Sequence, residues 1–209
     1  MERLKVDGSV PDPSAVARAV AVLESGSLLI YPTDTLYALG GRALDAAVVA
    51  RVRAAKARAA GKPLPLVAAD TDQVRGLCAA WPDAARLLAR RFWPGPLTLV
   101  LPAAPHVPSE VTAGGATIAV RVPALAVTRA LCVGVGALVS TSANLAGEAA
   151  PTTCDEAVAA VGAKAALALD AGPGLARSST IVDLSSDPPR LLRAGPVAWD
   201  EIVAVLGAC

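Results

Sequence analysis

The sequence predicts an α/β fold whose β-sheet is covered by helices on both faces. Patterns typical of helices and strands alternate along the chain, which favours layered α/β packing. The predicted strands are short runs of Val, Leu and Ile, as expected where both faces of a sheet are buried. A chain of 209 residues, 54% hydrophobic, can bury about 70% of its unfolded surface. Because no linker, repeat or low-complexity tract divides it, we predict a single domain over residues 1–209.

The helices are predicted from caps and from apolar residues at helical spacing. Asp12 can cap the first helix, with Pro13 in its first turn and Gly26 at its end. Asp70 and Gln73 have the spacing of a capping box, in which each side chain satisfies a backbone N–H group near the helix start. In chain order, we predict helices beginning at Asp12, over residues 45–58, beginning at Asp70, and over residues 82–91, 125–131, 153–161 and 197–206.

The strands are predicted from the apolar runs that separate these helices. Each run is a short apolar segment, and the runs are rich in Val, Leu and Ile. We predict strands at residues 28–31, 64–68, 97–101, 117–122 and 137–140, and around Leu167, Ile181 and Leu191.

Composition limits the function classes that fit the chain. A charged fraction of 18% and a net charge of +1 argue against a strongly basic nucleic-acid binder, although a local basic patch fits the same total. The cysteines are far apart and form no CxxC pair, which predicts buried thiols in a reducing compartment. We find no apolar core of a signal peptide and no apolar run near the roughly 18 residues of a membrane span. The sequence therefore predicts a soluble, cytoplasmic protein.

The motifs of common enzyme classes are missing. There is no GxxxxGK[ST] phosphate loop, and "VGVGALVS" contains a GxG without the third glycine of a dinucleotide site. His106, the single histidine, lies among prolines and is predicted to be an exposed loop residue. A Ser-His-Asp or Cys-His mechanism is therefore not expected. No carboxylate cluster has metal-ligand spacing, so we predict no dedicated metal site.

Two polar clusters lie in the first third of the chain. "YPTDTLYALG" places Thr33, Asp34 and Thr35 where a buried strand should end. A strand-end turn can expose Thr33 to a pocket, while Asp34 and Thr35 can cap the next turn. "AAKARAAGKPLP" ends a helix with Lys56, Arg58 and Lys62. These cations suit an anion site, but cations at a helix C-terminus are also favoured by the helix dipole, so both interpretations stay open.

Four further clusters lie in or beside later strands. In "TIAVRVP", Thr117 and Arg121 share one face of a strand, and a buried arginine needs either an acidic partner or an anionic ligand. "STSAN" at residues 140–144 suits phosphate or ribose oxygens, or a helix cap. Ser178, Ser179 and Thr180 precede a strand, and Arg193 precedes a Gly-Pro turn. Together the clusters predict a pocket for a polyanion and a small polar substrate.

The motifs also resemble a known family. "YPTDTLYALGG", "KARAAGKPL", "FWPGPLTLVLP", "VPSEVTAGGATIAVRVP", "TSANLAGEAAPTT", "SSTIVDL" and "LLRAGP" follow the order and spacing of the YrdC-like family, the threonylcarbamoyl-adenylate synthases. The resemblance covers residues 10–205. It implies a twisted mixed β-sheet flanked by helices, with a concave basic cavity. It also implies synthesis of threonylcarbamoyl-AMP and pyrophosphate from L-threonine, bicarbonate and ATP, the first step toward N6-threonylcarbamoyladenosine in tRNA.

The resemblance further implies roles for individual residues. Lys56 and Arg58 are expected to be catalytic and to hold the ATP phosphates. The other expected ATP contacts are Thr117, Ser142, Asn144 and Arg193, and the expected threonine contacts are Thr33, Arg121 and Ser179. Mg²⁺ is expected to arrive with ATP. The chain departs from the family pattern at Asp34, Ala59 and Ser178, where members usually have glutamate, proline and glutamate, and near Val67, where some members carry a histidine.

The implied partners are ATP, threonine, bicarbonate, a downstream threonylcarbamoyl-transferase complex and a weak tRNA or RNA contact, with no membrane. Two alternative functions remain at this point. One is a double-stranded RNA-binding or ribosome-assembly module, which a net charge of +1 disfavours because RNA affinity comes from many phosphate contacts. The other is a carbamoyl-AMP-forming carbamoyltransferase relative.

Overall fold

The structure is a computed structural model and describes residues 1–56, 61–174 and 177–207. Its strands form two mixed sheets, flanked by helices, which confirms the predicted α/β class. The strands are β1 (Glu2–Lys5), β2 (Leu29–Pro32), β3 (Tyr37–Gly40), β4 (Leu66–Val67), β5 (Leu97–Pro102), β6 (Thr117–Arg121), β7 (Leu138–Val139), β8 (Thr141–Ser142), β9 (Leu167–Asp170), β10 (Thr180–Asp183) and β11 (Arg190–Arg193).

The helices agree with the predicted ones within a few residues at most ends. They are α1 (Pro13–Glu24), α2 (Ala46–Ala55), α3 (Thr71–Gly76), α4 (Asp83–Phe92), α5 (Ser109–Thr112), α6 (Ala126–Val135), α7 (Cys154–Val161) and α8 (Trp199–Leu206). The one-turn helix α5 was not predicted. The predicted end of α2 at residues 57–58 lies outside the described residues.

Side-chain caps explain why several helices begin where they do. The carboxylates of Asp12 and Asp45 accept backbone N–H bonds in the first turns of α1 and α2. Asp70 likewise accepts from the Gln73 N–H at 2.8 Å. The predicted capping box is only half formed, because the Gln73 side chain accepts from the backbone N–H of Ala69 instead of the cap residue. Acceptors at these positions satisfy N–H groups that have no partner within the helix.

The five-stranded sheet has the order β1-β9-β2-β3-β8, and the six-stranded sheet has the order β11-β10-β5-β6-β4-β7. In the first sheet, β2 is parallel to β9 and antiparallel to β3. In the second, β5 is parallel to β10 and antiparallel to β6. Successive residues of β2 belong to different apolar clusters: Leu29 and Tyr31 pack in one, and Ile30 in the other. This alternation confirms that the strand is covered on both faces.

Three strands were missed by the sequence analysis: β1, β3 and β8. The edge strand β1 alternates half-buried and exposed residues and lacks a long apolar run. The strand β3 is fully buried but directly follows the polar turn, which hid its start. The strand β8 has two residues and depends on pairing with β3. Local patterns cannot reveal strands whose existence depends on a distant partner.

The two sheets meet where β3 approaches β7. The Tyr31 hydroxyl donates to the Val139 carbonyl at 2.9 Å, and the Val139 N–H donates to the Gly41 carbonyl at 2.9 Å. Burial raises the pKa of Tyr31, so this phenol stays protonated as a donor. A Cβ atom on Gly40 would lie 1.7 Å from the Val139 oxygen. Glycine is therefore required for the close contact between the sheets.

Among the helices of residues 1–56, 61–174 and 177–207, none combines the length and apolar character that a membrane span needs.

Gly40→Ala should lower the free energy of unfolding by about 1–3 kcal/mol or more, because the methyl group overlaps the Val139 carbonyl. Gly76→Ala is the matched control, since a Cβ there has no atom within 4 Å and the residue ends a helix. That control should be neutral or stabilising by up to about 1 kcal/mol. Urea unfolding of both variants tests the contrast, and equal midpoints would contradict it.

Candidate active site

A cavity of about 270 Å³ lies where polar ends of both sheets come together. Its wall is rich in hydroxyl groups and carries two arginines. Among the described residues that line it, none is acidic. The polar lining side chains are Thr33, Thr35, Tyr37, Thr98, Arg121, Ser140, Thr141, Ser142, Ser178, Ser179 and Arg193. This composition suits a small anionic or zwitterionic ligand.

The pleat of the six-stranded sheet selects which residues face the cavity. Ala119 and Arg121 of β6 line it, as the predicted even spacing requires. Thr98 of the neighbouring β5 and Ile181 of β10 lie on the same face and also line it. Thr117 starts the same face of β6 and pairs with Pro102, but it is not among the described cavity-lining residues.

A β-bulge directs Arg193 toward the cavity. Ile181 pairs with Arg193, whereas the next residue, Val182, pairs with Leu191. Leu192 is therefore the extra residue of β11. Directly paired residues of antiparallel strands point to the same face, so Arg193 shares the face of the cavity-lining Ile181. Without the bulge, the alternation of β11 would place Arg193 on the face of Leu191.

In the turn between β2 and β3, Thr33 lines the cavity as predicted, but the cap of the turn is assigned differently. The Thr33 hydroxyl accepts the N–H groups of Thr35 and Leu36 at 3.2 and 3.1 Å. It also donates to the Leu36 carbonyl at 2.7 Å. Thr33 is therefore the residue that caps the turn, although its side chain also lines the cavity. Asp34 and Thr35, expected to cap, are instead directed toward Arg121.

Arg121 lies in a buried ion pair with Asp34. Its Nη1 donates to Asp34 Oδ1 at 2.9 Å, and its Nη2 donates to Thr35 Oγ1 at 3.2 Å. The two charged side chains are 7% and 10% exposed. Burial lowers the pKa of Arg121, and the Asp34 charge opposes that shift. Of the two alternatives left open by the sequence, the acidic partner is thus present, and Arg121 also faces the cavity.

Lys56 holds the loop that contains Ser142 and Asn144. It caps α2 and is 3% exposed. Its ammonium donates to the Ser142 carbonyl, to the Asn144 carbonyl at 2.6 Å and to Asn144 Oδ1 at 2.9 Å. The Ser142 hydroxyl donates to the same Oδ1 at 2.6 Å. Sequence reasoning grouped these three residues as ATP contacts, and the structure brings them together.

Ser179 connects β5, β10 and β11 at the cavity wall. Its hydroxyl lies 2.8 Å from the Thr98 hydroxyl and accepts from Arg193 Nη2 at 3.1 Å. The Ser179 carbonyl accepts from Arg193 Nε at 2.9 Å. A Cβ on Gly195 would lie 2.3 Å from the Thr180 nitrogen, so glycine allows the turn after Arg193 to pass the start of β10. Burial and the positive charge of Arg121 lower the pKa of Arg193.

The structure places most predicted site residues around one cavity. Thr33, Arg121, Ser142, Ser179 and Arg193 line it, while Lys56 and Asn144 lie behind Ser142. Arg58 lies outside the described residues. Sequence reasoning assigned no site role to Thr98, a polar residue in an apolar strand, and left Tyr37 as either a wall of the pocket or a buried aromatic residue. Thr98 pairs with Ser179, and Tyr37 lines the cavity with its hydroxyl bonded to the Gly172 carbonyl at 2.6 Å.

No histidine or metal cluster takes part in the described geometry. His106 is exposed in its loop, as predicted. In the described part of the chain, no group of three or more His, Cys, Asp or Glu residues could hold a metal ion. Cys132 is a buried thiol whose pKa is raised to about 12 by burial, which makes it a poor nucleophile. The described side chains that can interact with a polar ligand in the cavity are therefore fixed cations and neutral hydroxyl groups.

The fold and the cavity define an α/β protein with a pocket lined by hydroxyl groups and two arginines. The family model Sua5/YciO/YrdC, described as telomere recombination, matches residues 21–195. The chain belongs to this family.

Relatives cover most of the chain. A Chromobacterium violaceum protein named threonylcarbamoyl-AMP synthase is 41% identical over 186 residues, which are 88% of this chain and 95% of that protein. The crystal structure of Pyrococcus abyssi Sua5 complexed with L-threonine has a TM-score of 0.95 and 35% identity. It covers 99% of this chain, which spans 61% of that protein. Escherichia coli YciO has a TM-score of 0.86, 25% identity, and coverage of 95% and 98%.

Arg121→Met should lower the free energy of unfolding by about 3–5 kcal/mol, because Asp34 would stay buried without its cation. The double variant with Asp34→Asn should be less destabilised than the sum of the single variants by about 1–3 kcal/mol. Urea unfolding of the four proteins measures this coupling.

Arg75→Met is the matched control, since Arg75 forms an exposed pair with Asp72 at 3.5 Å. It should change stability by about 0.5 kcal/mol or less. Strict additivity of the Arg121 and Asp34 variants would show that the buried pair does not stabilise the fold.

Proposed function

We propose that the chain is an L-threonylcarbamoyladenylate synthase that converts L-threonine, bicarbonate and ATP into threonylcarbamoyl-AMP and pyrophosphate. The observation that carries this proposal is the single cavity in which Arg121, Arg193, Ser142 and Ser179 converge. The named Chromobacterium relative and the threonine complex of the Pyrococcus protein support it over the RNA-binding and carbamoyltransferase alternatives.

The reaction takes place in two steps that suit fixed cations. The threonine amine attacks the carbon derived from bicarbonate, giving a carbamate and water. A carbamate oxygen then attacks the α-phosphorus of ATP, and pyrophosphate leaves with its negative charge. Both steps pass through anionic species, which preorganised cations and hydroxyl donors stabilise without a histidine base.

The threonine subsite is formed by Arg121, Ser179 and Thr33. Asp34 and Thr35 each accept one N–H bond from Arg121, so the guanidinium keeps other N–H donors for the threonine carboxylate. The Ser179 hydroxyl is held by Thr98 and Arg193, which fixes its position beside Arg121. Thr33 contributes the shape of the turn at this wall, because its hydroxyl is already bonded within the turn.

The ATP subsite uses the loop held by Lys56, together with Arg193. Ser142 faces the cavity and Asn144 fixes its hydroxyl, while Lys56 adds a positive charge directly behind them. Thr117 lies on the cavity-facing side of β6, beyond the enclosed part of the cavity. Arg58 is assigned to the ATP subsite by family resemblance. Mg²⁺ enters as part of the Mg-ATP substrate. We further propose a cytoplasmic role in tRNA modification, with the product consumed by a downstream threonylcarbamoyl-transferase complex.

Pyrophosphate should form only when L-threonine, bicarbonate and Mg-ATP are all present, because the carbamate is the nucleophile toward ATP. A coupled pyrophosphate assay with each substrate omitted in turn measures this dependence. Carbamoyl phosphate in place of threonine and bicarbonate serves as the control for the carbamoyltransferase alternative. Equal pyrophosphate release without threonine would contradict the synthase assignment.

Lys56→Ala should reduce turnover by about 100-fold or more, because the positive charge and the anchor of the Ser142–Asn144 loop are lost together. Weak, salt-sensitive RNA binding should stay nearly unchanged. Lys5→Ala, at an exposed position of β1, is the control and should retain full turnover. A Lys56 variant that loses RNA affinity but keeps synthase activity would favour the RNA-binding alternative. Pyrophosphate release and RNA binding at two salt concentrations provide both measurements.

A further inference from the structure

The charges that face the cavity are of one sign. Arg121 approaches from β6 and Arg193 from β11, and each is held in place by hydrogen bonds to the protein. The described lining residues include no Asp or Glu. The residues outside the described part, 57–60, 175–176 and 208–209, have no acidic side chain in the sequence. A ligand amine in this cavity therefore meets cations and neutral hydroxyl groups.

Asp34 is the carboxylate next to this wall, and it already forms an ion pair with Arg121. Its Oδ1 pairs with Arg121 at 2.9 Å. Its Oδ2 is buried without a hydrogen-bond partner, and Asp34 is not among the described residues that line the cavity. The Asp34 side chain is only 10% exposed, so burial, not a second hydrogen bond, separates Oδ2 from the cavity. The pairing and this burial therefore leave Asp34 closed to a ligand in the cavity.

Asp170 lies 3.3 Å from the Tyr37 hydroxyl, but it pairs with Arg3 at 2.7 Å and is not among the described residues that line the cavity. Tyr37 lines the wall, and burial raises the pKa of its phenol, which donates to the Gly172 carbonyl. Lys56, behind Ser142, is a further cation. Burial without an acidic partner disfavours an ammonium group, because the charge loses its hydration. In free threonine the carboxylate stabilises the neighbouring ammonium. A guanidinium that pairs with this carboxylate weakens that stabilisation.

We propose that the cavity binds its amino-acid substrate with the amine uncharged, so that the ammonium proton is released to solvent on binding. This inference rests on the proposed function and specifies the form of the substrate that the site selects. It also connects binding with chemistry, because only the uncharged amine has the lone pair that attacks carbon. Written with atoms balanced, R–NH₂ and HCO₃⁻ give R–NH–COO⁻ and H₂O, and the proton lost on binding is not needed later.

Isothermal titration calorimetry of L-threonine into the full chain tests the proposal. Free threonine is an ammonium at pH 7, so the titration should release close to one proton for each threonine bound. The number of protons is the slope of the measured enthalpy against the ionisation enthalpy of the buffer, in phosphate, HEPES and Tris. The apparent affinity should also rise about tenfold per pH unit between pH 6 and pH 8.

A ligand control and a matched pair of variants isolate the amine. 2,3-Dihydroxybutanoate has the carbon skeleton and carboxylate of threonine but no amine, so its affinity should not rise with pH and it should release no proton. Ser178 is a half-buried residue of the cavity wall. Ser178→Glu places a carboxylate there and should suppress proton release by threonine, whereas Ser178→Gln, similar in size and uncharged, should keep it.

The outcomes separate this inference from the proposed function. Threonine binding without proton release, with an affinity that does not change with pH, would show that the ammonium form is bound and would overturn the inference alone. Absence of both threonine binding and threonine-dependent pyrophosphate release would overturn the proposed function and the inference with it. Equal proton release by Ser178→Glu and Ser178→Gln would overturn the stated electrostatic cause.

Discussion

The buried ion pair between Arg121 and Asp34 connects the two sheets across the cavity. Asp34 lies in the turn that joins two strands of the five-stranded sheet, and Arg121 ends β6 of the six-stranded sheet. Since both side chains are almost fully buried, neither charge can lose its partner without a large desolvation cost. The spacing of the cavity walls therefore depends on this contact, and Thr35 fixes the second arm of the guanidinium.

Other polar side chains at or behind the cavity wall are also held by contacts within the protein. Lys56, Thr33 and Ser179 each make hydrogen bonds within the protein. Contacts within the protein therefore fix the positions of these side chains. Preorganised donors lose little entropy when a transition state forms, which is the condition for strong electrostatic stabilisation. Structural and catalytic roles of one residue are therefore compatible at this site.

Local sequence signals predicted the elements but not the contacts between them. Asp12, Asp45 and Asp70 act as caps through bonds within three residues, so their patterns are readable from the chain. Arg121 and Asp34 are 87 residues apart, and nothing local indicates that they pair. The direction of Arg193 depends on a bulge that exists only through pairing with β10. Most of the polar clusters come together around one cavity, while the assignment of caps and partners within them required the structure.

The cavity contains both uncharged hydroxyl groups and positively charged side chains, and the two kinds of group contribute differently to substrate binding. One hydroxyl proton of the Thr98–Ser179 pair stays available for a substrate oxygen, whereas the Ser142 proton is donated to Asn144. Arg121 and Arg193 supply positive charge, and the effect of Arg121 on the pKa of Arg193 shows that these charges reach one another. Anionic intermediates consequently meet a positive potential, since none of the described residues that line the cavity is a carboxylate. A site of this kind favours reactions that gain negative charge and needs no side chain to accept a proton.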